Sequence, residues 1–171
     1  TPTFISHDEM RELMAKTRKE FKLLDDDTGE YSIEIDPREV QSDTIALLRE
    51  LGFNRMSLGV QDVDERVQIA VNRIQPEDQT LATLEAAKRE GFKSVSLDLI
   101  YGLPGQTLKT WRRSLREAPR FRPEELYLYP LYVRPLTGLG RRGGEPEADA
   151  RLACYRAGRD LLPEAGYGQV S

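Results

Sequence analysis

Apolar residues recur along this chain at two alternating periods. Met10, Leu13, Met14 and Phe21 fall at roughly helical spacing behind Ser6 and Glu9. That S-x-x-E pair fits a capping box, in which each side chain satisfies a backbone N–H at a helix start. After the polar turn DDDTGE, the segment Tyr31–Asp36 reads as a strand stopped by Pro37. Ser42 is placed to cap a helix through Leu51, with Ile45, Leu47, Leu48 and Leu51 as its apolar face. Gly52 then stands where a helix end needs positive φ. Arg55–Gln61 is a second strand, and Asp62 with Glu65 offers a cap for a helix carrying Val63, Val67 and Val71. Pro76 suits the first turn of a further helix, lined by Leu81, Leu84 and Ala87 and closed by Gly91. The clearest strand is Ser94–Tyr101, ended by Gly102-Leu103-Pro104-Gly105, and Leu108, Trp111 and Leu115 mark the next helix. Leu126–Tyr129 is a fourth strand, closed by Pro130. The Gly-, Pro- and Arg-rich stretch 134–147 reads as a long loop, and a last helix runs from about Glu147 to Glu164, disturbed at Pro163. Gln169-Val170-Ser171 reads as the start of another strand.

Strands alternating with helices predict right-handed crossovers and a parallel sheet, an α/β fold. Four strands cannot close an eight-stranded barrel. The expectation is a single domain over residues 1–171: an incomplete (β/α) barrel, an open arc of parallel strands with outer helices, cut at both ends. Such an arc would expose apolar surface along its open edges.

In folds of this kind ligands bind at the carboxyl ends of the strands. The strands deliver there Glu34 and Asp36, then Gln61 and Asp62, then Asp98 and Tyr101, then Tyr129, Tyr132 and Arg134. Carboxylates accept hydrogen bonds from ribose hydroxyls or an ammonium group, and a glutamine donates and accepts at once. Arg73 can grip a carboxylate in bidentate fashion. Asp98 is the strongest bare case, because it interrupts an otherwise apolar strand where an ionised group is costly unless paired. Asp36 reads as a turn residue and Asp62 as a helix cap. His7, the only histidine, reads as exposed, and Arg112, Arg113 and Arg116 as a solvated outer face. The GLPG turn redirects the chain and does not match a P-loop.

Composition narrows the class. Hydrophobic residues make up 39% and charged residues 32% of 171, ordinary for a globular domain. A net charge of −4 argues against a general nucleic-acid binder. The apolar runs are only a few residues long, so no membrane-spanning helix is expected. The single cysteine, Cys154, excludes an intramolecular disulfide and a self-contained multi-cysteine metal site, and it reads as core. A reducing, cytoplasmic setting is the default expectation.

TPTFIS at 1–6, SIEIDPREV at 32–40, LGFNRMSLGVQD at 51–62, VNR at 71–73 and DLIYGLPGQT at 98–107 occur in one order. Together they resemble the radical S-adenosylmethionine enzymes related to oxygen-independent coproporphyrinogen III oxidase, a group that includes haem-chaperone relatives. The resemblance implies a partial (β/α) barrel, S-adenosylmethionine and a [4Fe–4S] cluster as cofactors, and hydrogen abstraction by a 5′-deoxyadenosyl radical. It implies that Glu34, Gln61, Arg73 and Asp98 hold S-adenosylmethionine. Thr1 resembles the threonine that ends the family's glycine-rich GGGTPT turn, and Tyr132 falls near a position that backs the adenosyl group. A small-molecule substrate such as a tetrapyrrole and an electron-donor protein are the partners the resemblance implies. The family's C-x3-C-x2-C cluster motif does not occur in these residues and is expected upstream of Thr1. Without it, this polypeptide alone is expected to be inactive. The stretch 129–142, YPLYVRPLTGLGRR, departs from the oxidase pattern. Two alternatives remain: a haem-binding carrier on the same scaffold, and an ordinary lyase using Glu34 and Asp98 as acid and base. No lysine stands at a strand end to form a Schiff base for the latter.

Overall fold

A computed structural model describes residues 2–133 and 148–170. In chain order it contains α1 (His7–Glu20), β1 (Ser32–Ile35), α2 (Ser42–Glu50), β2 (Arg55–Gln61), α3 (Glu65–Ala70), α4 (Glu77–Arg89), β3 (Ser94–Tyr101), α5 (Leu108–Glu117), β4 (Glu125–Pro130) and α6 (Ala148–Leu161). The strands form one parallel sheet in the order β1-β2-β3-β4. In β1 and β2, Glu34 stands opposite Ser57 and Ile35 opposite Leu58. The long loop expected at 134–147 lies outside the described residues.

Each strand sorts its side chains by parity, as a pleated strand must. Ile33 and Ile35 of β1 are buried while Ser32 and Glu34 are exposed. Met56, Leu58 and Val60 of β2 are buried, whereas Arg55, Ser57 and Gln61 are half-buried. Leu97, Leu99 and Tyr101 of β3 are buried, with Asp98 and Ile100 half-buried on the other parity. On β4 the exposed positions are Tyr127 and Tyr129, whose rings stack with centroids 6.1 Å apart.

The chain divides into two compact units. The first comprises residues 1–59, 76–97 and 123–125. Its core contains Ile35, Ile45, Leu48, Met56, Leu58, Ala87 and Leu97, all under 2% exposed. Asn54, also buried, donates to the Gly29 carbonyl at 2.7 Å and to Asp27 at 3.0 Å, and accepts from the Tyr31 N–H at 3.0 Å. The 27–31 turn is thereby fixed ahead of β1. The second unit comprises residues 60–75, 98–122 and 126–171. Trp111 is fully buried there, donates its indole N–H to the Cys154 carbonyl at 2.8 Å, and lies 5.9 Å from the Tyr101 ring. That bond docks α6 on α5.

The helix starts differ from expectation in two places. The Ser6–Glu9 capping box is present, but Ser42 is the first helical residue of α2, with Gln41 before it making no side-chain cap. Asp62 does not cap α3; Asp64 does, accepting from the Arg66 N–H at 3.1 Å. The Arg66 guanidinium beside Asp64 holds that carboxyl below its usual range. Pro76 stands at the N-cap of α4, just ahead of the first turn. Leu81 and Leu108 are partly exposed, so each helix buries a narrower stripe than the apolar pattern suggested. The left-handed backbone at Gly52 is present, with φ of 98°. α6 gives way to a short 3-10 turn at Pro163–Ala165, and residues 167–170 form no strand. Among the described residues no helix is long and apolar enough to cross a membrane.

Candidate functional site

In the first unit β1 carries Glu34 to its carboxyl end with the side chain exposed. Two residues on, Asp36 is 5% exposed and gripped by Arg38, whose Nη2 donates at 2.7 Å and whose Nε lies 3.0 Å away. The Glu39 N–H donates to the Asp36 carbonyl at 3.0 Å, so Asp36 is the turn residue expected. It leaves Glu34 as the exposed carboxylate at this strand end. His7 is exposed, with Nε2 2.9 Å from the Thr44 hydroxyl.

The second unit holds Gln61, Arg73, Asp98 and Tyr132. Gln61 ends β2 in the left-handed region, with φ of 68°. The Asp62 N–H donates to the Val60 carbonyl at 2.9 Å, which closes a three-residue turn around Gln61. A γ-turn with positive φ is rare and strained for a residue with a side chain. Asp98 sits half-buried within β3 on the parity opposite Leu97 and Leu99. It therefore does not interrupt the apolar face of that strand; it belongs to the other one. Arg73 is half-buried, and its N–H donates to the Gln68 carbonyl at 2.8 Å. Tyr132 is 78% exposed beyond β4. Thr1 and Arg134 lie outside the described residues.

Sequence reasoning missed the interior of this unit. Asp62 is 1% exposed and accepts from the Asp64 N–H at 2.7 Å, the Ser114 hydroxyl at 2.7 Å and Gln106 Nε2 at 2.5 Å. Its advance signals were its place just past the end of a strand, which a helix cap shares, and the motif at 51–62 that it ends. Gln106 stood out only as part of the motif at 98–107, and Gln68 gave no signal.

A parallel α/β sheet with polar residues at the carboxyl ends of its strands is the setting in which barrel-type enzymes bind cofactors. The Radical SAM superfamily model matches residues 1–118, and the chain belongs to that superfamily. Within it, the oxygen-independent coproporphyrinogen III oxidase of Pseudomonas aeruginosa is 52% identical over 99% of this chain and 38% of its own length. The heme chaperone HemW of Bacillus subtilis is 33% identical over 80% of this chain and 36% of its own length. The structure of coproporphyrinogen III oxidase from Escherichia coli, a radical SAM enzyme, superposes with a TM-score of 0.88 at 34% identity, covering 98% of this chain and 39% of that one. The chain thus spans less than two-fifths of the length of these relatives.

The donor set can be tested against the two cofactors the family implies. Within the second unit, a glutamine held in a strained turn, a half-buried carboxylate at Asp98 and an arginine are the donor and acceptor types that a ligand bearing ribose, amine and carboxylate would need. The iron–sulfur cluster is another matter, because it is held by several thiolates. The one cysteine, Cys154, is buried, and burial followed by the Asp62 charge pushes its thiol up, away from the thiolate form. Among the described residues no group of three or more His, Cys, Asp or Glu side chains could hold a metal ion. These residues do not fit the cluster.

Proposed function

We propose that these residues are the S-adenosylmethionine-binding part of a longer radical enzyme of the oxygen-independent coproporphyrinogen III oxidase group. Asp98 and Glu34 would accept from hydroxyl and ammonium groups, Gln61 would donate and accept, and Arg73 would pair with the ligand's carboxylate. Tyr132 and Thr1 would complete the adenosyl side. In the whole protein, S-adenosylmethionine and a cluster held by cysteines outside these residues would supply radical chemistry for hydrogen abstraction. An electron-donor protein and a tetrapyrrole substrate would be its partners. The observation that carries this reading is the strained turn presenting Gln61 at the end of β2, in the same unit as Asp98 and Arg73. Strained non-glycine backbone clusters at ligand sites.

A second reading, a haem carrier on the same scaffold, is supported by the similarity to the heme chaperone. Anaerobic reconstitution of the full-length protein with iron, sulfide, reductant and S-adenosylmethionine separates the two. The enzyme reading expects 5′-deoxyadenosine to form. Stoichiometric uptake of added haem with no 5′-deoxyadenosine would overturn it in favour of the carrier.

A further inference from the structure

We propose that Asp62 is a positioning residue, whose buried carboxylate holds the strained turn that presents Gln61 and ties it to the loops carrying Arg73 and closing β3. The inference rests on the cofactor reading above.

A left-handed backbone at a residue such as Gln61, with φ of 68°, costs about 1–3 kcal/mol and persists only where its surroundings over-determine it. Here the surroundings are explicit. Asp62 Oδ1 accepts from the Asp64 N–H and the Ser114 hydroxyl, both at 2.7 Å, and Oδ2 accepts from Gln106 Nε2 at 2.5 Å. The Asp62 carbonyl accepts from Gln68 Nε2 at 2.9 Å. The turn residue is thus fixed on both its main chain and its side chain.

The two glutamines extend the hold outward. Gln68 Nε2 also donates to the Gln75 carbonyl at 3.1 Å, and its Oε1 accepts from the Gln75 N–H at 3.0 Å. Its carbonyl accepts from the Arg73 N–H at 2.8 Å. Gln68 therefore holds both ends of the turn that carries Arg73, its main-chain carbonyl at Arg73 and its side-chain amide at Gln75. Gln106 Oε1 accepts from the Gly102 N–H at 2.6 Å, and its Nε2 donates to the Ile100 carbonyl at 3.0 Å. That clamps the end of β3, two residues beyond Asp98.

The chemistry of the hub argues that it does more than stabilise. Among the described residues the hydrogen-bond partners of the Asp62 carboxylate, the Asp64 N–H, the Ser114 hydroxyl and the Gln106 amide, are neutral. A buried carboxylate with neutral partners carries a large desolvation penalty, and well-packed apolar groups serve stability alone as well or better. An ionised carboxylate supplies only acceptors, which forces Gln106 to present its NH2 inward and its oxygen to Gly102. That orients the network in one way only.

Asp62→Asn keeps the shape and breaks this logic, because its amide NH2 must face a donor, either the NH2 of Gln106 or the Asp64 N–H. Adding Gln106→Glu restores a donor–acceptor pair at the first contact and gives up the bond to the Ile100 carbonyl. The experiment uses the full-length, cluster-loaded protein and measures S-adenosylmethionine affinity, thermal midpoint and amide exchange. Asp62→Asn is expected to weaken affinity at least tenfold, with cluster content unchanged and faster exchange at the Asp64 and Gly102 amides. The double variant is expected to recover part of the affinity. Leu115→Ala, a buried apolar truncation in α5, is the control: it should lower the midpoint at least as far and leave affinity within twofold. Wild-type affinity in Asp62→Asn, or an equal affinity loss in Leu115→Ala, would overturn the positioning role. If Gln61→Ala and Asp98→Ala also bind normally, the cofactor reading itself fails; if they lose binding while Asp62→Asn keeps it, only this inference does.

Discussion

At the scale of single residues, environment decides roles that residue type leaves open. Asp36, Asp62, Asp64 and Asp98 all lie at or just beyond strand ends or within a strand, yet the first is locked by Arg38 and the third caps α3. Asp62 is the interior hub and Asp98 alone stands half-buried within β3. The sequence made Asp98 conspicuous, and its place on the polar parity of β3 explains why it can be there at all. Asp62 was not legible, because a carboxylate after a strand is the usual mark of a helix cap and its partners are distant in sequence. A further carboxylate gives a pH-dependent test. The hydrogen bond from Asn54, then that from Lys93, with Arg49 adding to them, holds the Asp27 carboxyl down at about 2. A depressed carboxyl contributes stability above its unfolded pKa and loses it as pH falls through the folded one. The stabilisation from Asp27 should therefore fade from roughly pH 4 to roughly pH 2. Asp27→Asn should flatten the stability curve in that window in urea titrations; an unchanged slope would show that the contacts do not act on the charged form.

At the scale of elements, local signals and packing carry separate loads. The Ser6–Glu9 box could be read in advance because it depends only on neighbours three apart. Ser6→Ala should cost about 1 kcal/mol in equilibrium denaturation. The α5–α6 docking was not legible, since periodicity names Trp111 as apolar without saying that its indole reaches the Cys154 carbonyl. Trp111→Ala removes a fully buried ring and should cost about 3–5 kcal/mol. A loss under about 1 kcal/mol would mean that α6 is held by other means. The strands were the most legible elements, with β2 and β3 found at the bounds expected of them. Their alternation with helices was enough to give a parallel sheet, whereas Gln169 and Val170, read as the start of a strand, form none.

At the scale of the molecule, the α/β class and the ordered motifs led to the radical S-adenosylmethionine family, and the superfamily match over residues 1–118 bears that out. This chain covers 38% of the length of its Pseudomonas relative. The central claim is that Gln61 and Asp98 bind S-adenosylmethionine. Its most direct test is equilibrium binding of S-adenosylmethionine to the full-length, cluster-loaded protein and to its Gln61→Ala and Asp98→Ala variants. Each variant should lose about tenfold or more in affinity, roughly 1.4 kcal/mol, while retaining its iron and sulfide. Wild-type affinity in both would contradict the assignment.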